Sequence, residues 1–252
     1  MPKPEPVQLR PLQRVRIKEA RVGLPLWRVR DRRAAKLVGL QRANEDALQK
    51  RQELELAWQE QQATADRTWA LLLDNDPETV IGVVDAAYED NECAAAPIDV
   101  AGATLTVAMV MPPIDFVPEL MAGTTPTRKI SVKKRSKTAR NELYAESLAS
   151  HAIATVREAF AVAPSVDRVK LLVVTRGGPL NALAPLYAGT VERQHAEGVT
   201  WSQTNVLPFL VGRDDALINL TGRTNEVAAV DLSGEPDLAD VLSRIDSDLT
   251  AQ

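Results

Sequence analysis

Residues 138–164 read TARNELYAESLASHAIATVREAFAVAP, and the fold turns on what this stretch forms. Tyr144, Leu148, Ala152, Val156 and Phe160 recur four apart, which sets them in one stripe along a helix. Ala145, Ala149, Ile153 and Ala159 widen that stripe, and a broad apolar face belongs across a sheet or inside a bundle. Ser136 or Thr138 is placed to cap the start, because a short hydroxyl accepts an orphan amide hydrogen bond there. Pro164 ends it. Directly afterwards VKLLVV (169–174), bracketed by Asp167 and Gly177-Gly178, is short, β-branched and apolar on both faces. That is the composition of a central strand.

Toward the C-terminus, residues 186–192 and 199–203 read as a hairpin closed around Glu197-Gly198. Residues 206–220 hold a short helix or two, with Asp214-Asp215 as a helix start. EVAAVDL (226–232) is a further strand. Glu235-Pro236-Asp237 opens a closing helix whose Leu238, Val241, Leu242, Ile245 and Leu249 form one face.

In the other direction, Leu105, Val107, Met109 and Met111 alternate with Thr104, Thr106 and Ala108, a strand pattern. Ala101-Gly102 divides residues 98–111 into two strands, and Pro112-Pro113 ends them. Residues 113–127 read as a proline-rich loop. Ile130 and Val132, alternating with Lys129, Ser131 and Lys133, suggest an edge strand. Asp76 caps a helix with Pro77 at its first position, and Ile81, Val84 and Tyr88 form its buried side.

Residues 32–73 are rich in Ala, Leu, Gln, Glu, Lys and Arg, all good helix formers. A heptad reading passes through Leu37, Leu40, Asn44, Ala47, Arg51, Leu54, Trp58, Gln61, Ala65, Thr68 and Leu72. It is only partly apolar, the mark of a weak coiled coil with polar breaks. The helix interface expected here is Leu37, Leu40, Leu54, Trp58 and Leu72; the plainer alternative is a long helix or hairpin packing Trp58 and Trp69 onto the domain. Before it, Pro2, Pro4, Pro6, Pro11 and Pro25 mark an extended arm, ordered only if it has something to lie on. The expected organisation is therefore an extended basic arm (1–26), a long helical segment (27–92), and an α+β domain (97–252). In that domain the central helix packs on one face of a mixed sheet.

The composition, 45% apolar and 25% charged, is that of an ordinary soluble protein. One cysteine, Cys93, leaves no internal disulfide to form. No apolar run reaches the length of a membrane helix, the N-terminus lacks the apolar stretch of a signal peptide, and the expected location is cytoplasmic. The net charge of −4 hides a separation. Residues 1–36 carry eleven Lys and Arg against Glu5, Glu19 and Asp31. Residues 128–140 carry seven (Arg128, Lys129, Lys133, Lys134, Arg135, Lys137, Arg140) and no acid. Such a run supports binding to a polyanion by neutralising phosphates. No aromatics interleave with it, so base stacking is not suggested. The other readings are a solvated loop, or a clamp on the chain's own acids such as Asp214, Asp215, Asp231, Asp237 and Asp240.

Catalytic and cofactor motifs are absent. There is no phosphate-binding P-loop or dinucleotide glycine pattern and no G-x-S-x-G elbow. With only His151, His195 and Cys93 there is no zinc-ligand spacing. No cofactor or metal is expected. From residue 138 the order helix, strand, strand, strand, helix, strand is similar to the core of restriction-endonuclease-like nucleases. That resemblance of element order covers about half the chain. It implies carboxylates and a lysine on adjacent strands holding a metal. Glu192-Arg193-Gln194 is the nearest match, with Glu146 or Glu158 from the helix. Lys170 is the last lysine of the chain, so the resemblance implies an inactive core. The leading expectation is a non-enzymatic scaffold that self-associates or binds a protein partner through its long helix and basic segments, away from membranes. A nucleic-acid-associated protein is the alternative.

Overall fold

The computed structural model describes residues 2–124, 130–177 and 182–250. Arg128, Lys129, Gly178 and Pro179, and the side chain of Leu249, lie outside the described part. The chain folds as two units, Met1–Ala70 and Leu71–Gln252.

In the first unit the arm does not stay extended. Leu9–Ala20 forms a helix, α1, followed by α2, a single helix of 45 residues over Val29–Leu73. Pro11 falls in the first turn of α1, where a missing amide hydrogen would have found no helical partner anyway, so proline does not prevent a helix. The something for the arm to lie on is α2. Gly39 allows the closest approach: a Cβ there would stand 2.8 Å from the carbonyl oxygen of Arg16 and from the Cα of Ile17. Ala43, one turn on, is fully buried. Arg16 bridges Asp46 on α2 and Glu19 on α1, and Arg32 donates to the Leu24 carbonyl at 2.9 Å. Beyond α1 the chain runs on until Lys3 stands 6.0 Å from the ring centre of Trp58.

This crossing gives a first prediction. Gly39→Val puts a branched side chain against backbone that cannot move aside, a packing cost of about 1–3 kcal/mol. Valine is a sharper probe than alanine, whose helix preference of about 1 kcal/mol over glycine offsets the clash. Tryptic cleavage within α1 is expected to accelerate about tenfold, each factor of ten corresponding to about 1.4 kcal/mol. An unchanged rate would show that the close approach holds nothing in place.

The second unit begins inside the last turn of α2. Pro77–Tyr88 is α3, capped as expected: Asp76 accepts from the Thr79 amide at 2.9 Å. Then come β1 (Ala95–Ala101) and β2 (Thr104–Met111), a hairpin turning at Gly102 with φ +54°. After Pro112-Pro113 the expected loop contains a 3-10 turn at Ile114–Phe116 and a strand, β3 (Leu120–Thr124), which pairs antiparallel with β4 (Ile130–Lys134). The central helix α4 (Lys137–Val162) is capped by Ser136, which accepts from the Ala139 amide.

The strand β5 (Arg168–Arg176) pairs parallel with β2 and antiparallel with β6 (Leu183–Glu192). A parallel pair needs a crossover, and α4 supplies it. Residues 199–203, expected as the second arm of a hairpin, form no strand. After β6 come the short helices α5 (Arg193–Glu197) and α6 (Val206–Val211). Trp201 packs edge-on against Phe209 at 5.0 Å, with Arg157 of α4 above its ring. Asp214-Asp215 opens no helix either; it leads into β7 (Leu217–Thr221), which pairs with the short β8 (Glu226–Ala228). The closing helix α7 spans Pro236–Thr250.

The six-stranded sheet runs β1-β2-β5-β6-β7-β8. On β5, Val169, Leu171 and Val173 face one side and join Tyr144, Leu148, Val156 and Phe160 of α4 with Val80 and Val84 of α3. Leu172 and Val174 face the other side, under Leu238 and Val241 of α7. The chain's three tyrosines all sit in the larger cluster, and each phenol donates to a backbone carbonyl. Tyr88 bonds Thr155 at 3.1 Å, Tyr144 bonds Pro112 at 3.0 Å, and Tyr187 bonds Leu210 at 3.5 Å.

Candidate functional site

The β3–β4 ribbon is the most exposed apolar feature of the second unit. It is a two-stranded sheet joined to no other strand among the described residues. Its register sets Leu120 opposite Lys134, Ala122 opposite Val132 and Thr124 opposite Ile130. Strand alternation places Leu120, Ala122, Ile130, Val132 and Lys134 on one face and Met121, Gly123, Ser131 and Lys133 on the other. Leu120 is 59%, Val132 70% and Ile130 87% exposed. An apolar row therefore faces water, with strand edges unpaired beside it.

The basic run that continues from this ribbon is largely spoken for. Lys134 lies 3.6 Å from Glu119, and Lys137 lies 2.8 Å from Glu226. Arg135 donates to the Pro118 carbonyl. Arg140 donates to the carbonyls of Val117 and Ile114 and pairs with Asp115 at 3.0 Å, fastening residues 114–119 to the start of α4. Among the described residues none of the acids anticipated for a clamp takes part. Glu119, Asp115 and Glu226 do instead, because the ribbon folds the run back onto its own preceding segment. Lys133 lies across Gly123, where a Cβ would come within 3.2 Å of its side chain, and has no acidic partner among the described residues.

The five residues expected as a helix interface do not form one surface. Leu72 is buried in the core of the second unit. Leu37 is exposed, Leu40 and Trp58 are half-buried, and Leu54 is 38% exposed. Leu54 and Trp58 lie under the N-terminal arm.

The carboxylates suggested by the nuclease resemblance are not brought together. Glu146 is exposed on α4 and Glu158 half-buried. Among the described residues no group of three His, Cys, Asp or Glu is disposed to hold a metal. Arg193 is a structural cap: Nη1 reaches the Phe160 carbonyl at 2.9 Å, Nη2 that of Ala163 at 2.7 Å and Nε that of Val166 at 2.9 Å. These are end carbonyls of α4 and its exit turn, where a cation is favoured by the helix dipole. Lys170 is paired with Glu235 at 2.8 Å.

One cleft escaped the sequence reading. It is open, about 800 Å³, and lies where β6, α5 and α6 meet, lined by Arg168, Thr190, Glu192, His195, Phe209, Arg213, Asp214 and Asp215. His195 Nδ1 stands 2.9 Å from Arg213 and 3.1 Å from Glu192, and can serve one at a time. Without a hydrogen on Nδ1 it accepts from the guanidinium, and with one it donates to the carboxylate, so the tautomer sets the partner. Asp215 is held by the Thr190 amide at 2.7 Å. No local signal marks this site, because its residues come from three separate stretches: Arg168, residues 190–199 and residues 208–215. Elsewhere Cys93 is buried beside the Met111 sulfur, and burial raises its thiol pKa, the opposite of an activated nucleophile. His151 is 4.0 Å from Glu92 on the surface of α4. No helix of the described residues is long and apolar enough to cross a membrane. Comparison of the chain with protein-family models, with curated proteins and with solved structures found no match.

Proposed function

We propose that this protein is a non-catalytic interaction protein that engages protein partners through the β3–β4 ribbon and the long helix α2. The observation that carries the reading is the exposed row Leu120, Val132 and Ile130 on a ribbon that pairs with no other strand among the described residues. An apolar row in water beside unpaired edges is stabilised when a partner covers it, either by face packing or by adding a strand. Lys133 discourages edge-to-edge aggregation and biases the surface toward acidic partners.

A second reading, nucleic-acid binding, has one observation in its favour: a basic two-stranded ribbon is of a width that the DNA major groove admits. Charge accounting weighs against it. Among the five described residues of the run, Arg135 and Arg140 are tied to backbone carbonyls and Lys134 and Lys137 to carboxylates, which leaves Lys133 to release counterions.

Fluorescence anisotropy with labelled single- and double-stranded DNA and RNA, at low and near-physiological salt, separates the two. The expected result is weak binding that reversing the charges of Lys133, Lys134 and Arg135 changes by about twofold or less. A parallel incubation with magnesium is expected to give no cleavage. Tight binding that falls steeply with salt and vanishes on charge reversal would install the second reading, and cleavage would overturn the non-catalytic one.

A further inference from the structure

Between residues 44 and 58 the heptad positions of α2 and the path of the N-terminal arm coincide, and nothing in the sequence pattern demanded that. Residues 3–9 lie over Asn44, Ala47, Arg51, Leu54 and Trp58, and α1 continues along the flank of that seam, against Gly39 and Asp46. We infer that residues 2–20 are a releasable strap that occupies this seam, and that its release lets α2 pair with α2 of a second copy of the chain. The inference rests on the reading of α2 as an interface.

Five observations make the strap releasable. No residue of α1 is fully buried, and its N-cap residue, Gln8, makes no side-chain cap bond. Twelve residues is a marginal length for a helix without strong packing. Two gaps of about 280 and 340 Å³ lie between the arm and α2, one lined by Pro4, Pro6, Arg51 and Leu54, the other by Val7, Leu9, Ala47 and Leu48. The indole N–H of Trp58 is buried there without an acceptor, a cost that a well-fitted partner would not leave standing. Polar ties, chiefly Arg16 to Asp46 and Lys3 over Trp58, hold the strap at exposed or half-buried sites, where water and salt compete with them.

The occupant that fits a released seam is the same helix from a second copy. Heptad spacing presents the same knobs and holes on both partners, which a two-fold pair requires. Beside that seam stand Lys50 and Glu55, five apart at the g and e positions of the heptad, the spacing at which each meets the opposite charge on a parallel partner helix.

Sedimentation velocity over a concentration series tests the inference on the full chain, comparing wild type with Arg16→Glu, which sets a carboxylate against Asp46 and Glu19. Tryptic cleavage within α1 reports whether the strap is off, and Gly39→Val is the independent way of lifting it. The expected result is self-association at least about tenfold tighter in the released forms, abolished when Leu54→Asp is added. Wild type and released forms associating equally, with Leu54→Asp weakening both, would overturn the strap and keep α2 as an interface. Released forms that remain monomeric, with Leu54→Asp without effect, would overturn the strap and remove α2 from the interaction reading as well. A strap that neither Arg16→Glu nor Gly39→Val loosens is a fixed part of the fold and also overturns the inference.

Discussion

Arg193→Ala is expected to destabilise the second unit by about 3 kcal/mol, a large share of the 5–15 kcal/mol typical of a domain. The guanidinium serves three carbonyls at 2.7–2.9 Å and lies 4.7 Å from the Phe160 ring centre. A hydrogen bond to a charged group contributes about 1.5–3 kcal/mol, and carbonyls stripped of their donor at a half-buried helix end keep the desolvation cost. Arg193→Lys is expected to recover less than half of the loss, since an ammonium cannot reproduce the planar fork that spans three acceptors. Urea unfolding checks this, with a midpoint lowered by roughly 1 M or more for the alanine variant. A midpoint within experimental scatter of wild type would mean that water replaces the cap at no cost.

Alkaline pH is expected to unfold the second unit through its tyrosines. Burial pushes the phenol pKa values of Tyr88, Tyr144 and Tyr187 above the ordinary value, with Glu158 adding to the shift at Tyr88 and Asp215 at Tyr187. Each phenol also donates to a carbonyl, which a phenolate cannot do. The unfolded chain therefore loses these protons first, near pH 10. Below that pH their contribution to stability is fully present. As pH rises past it, the folded state holds more protons than the unfolded one and stability falls. Each retained proton contributes about 1.4 kcal/mol per pH unit, so three make a slope of roughly 4 kcal/mol per unit. Phenolate absorbance is expected to appear in one cooperative step together with loss of the helix signal, and Tyr187→Phe to lower the slope by about a third. Three phenols titrating independently in a still-folded protein would refute the argument.

Much of the architecture is legible because its signals are local. The stripe of α4, the doubly apolar run of β5, the Asp76 and Ser136 caps and the face of α7 each follow from periodicity or capping within one segment. The misses share a different cause. Residues 120–124 (LMAGT) carry no alternation, and β3 exists because β4 pairs with it. Residues 199–203 have strand-like composition, yet Trp201 is taken up by Phe209 and Arg157. Pro11 looked like a breaker and lies where a helix tolerates proline. The surfaces were less legible than the core. The run 128–140 reads as free positive charge until folding brings Glu119, Asp115 and Glu226 to it. Arg193 reads as part of a catalytic triplet until the end of α4 arrives above it.

The parallel pairing of β2 with β5 has a consequence during synthesis. β2, with Leu105, Val107, Met109 and Met111 on one face, leaves the ribosome with β1 as its partner on one edge only. Its other edge waits for residues 168–175, and the helix that covers its apolar face is made in between. At about 5–20 residues per second that interval lasts roughly 3–11 s. For those seconds TLTVAMVM is a β-prone apolar segment with an open edge, the kind of sequence that chaperones bind and that aggregates nucleate on. Slowing translation between residues 111 and 168 is therefore expected to lower the soluble yield of this chain, quite apart from how stable the finished fold is.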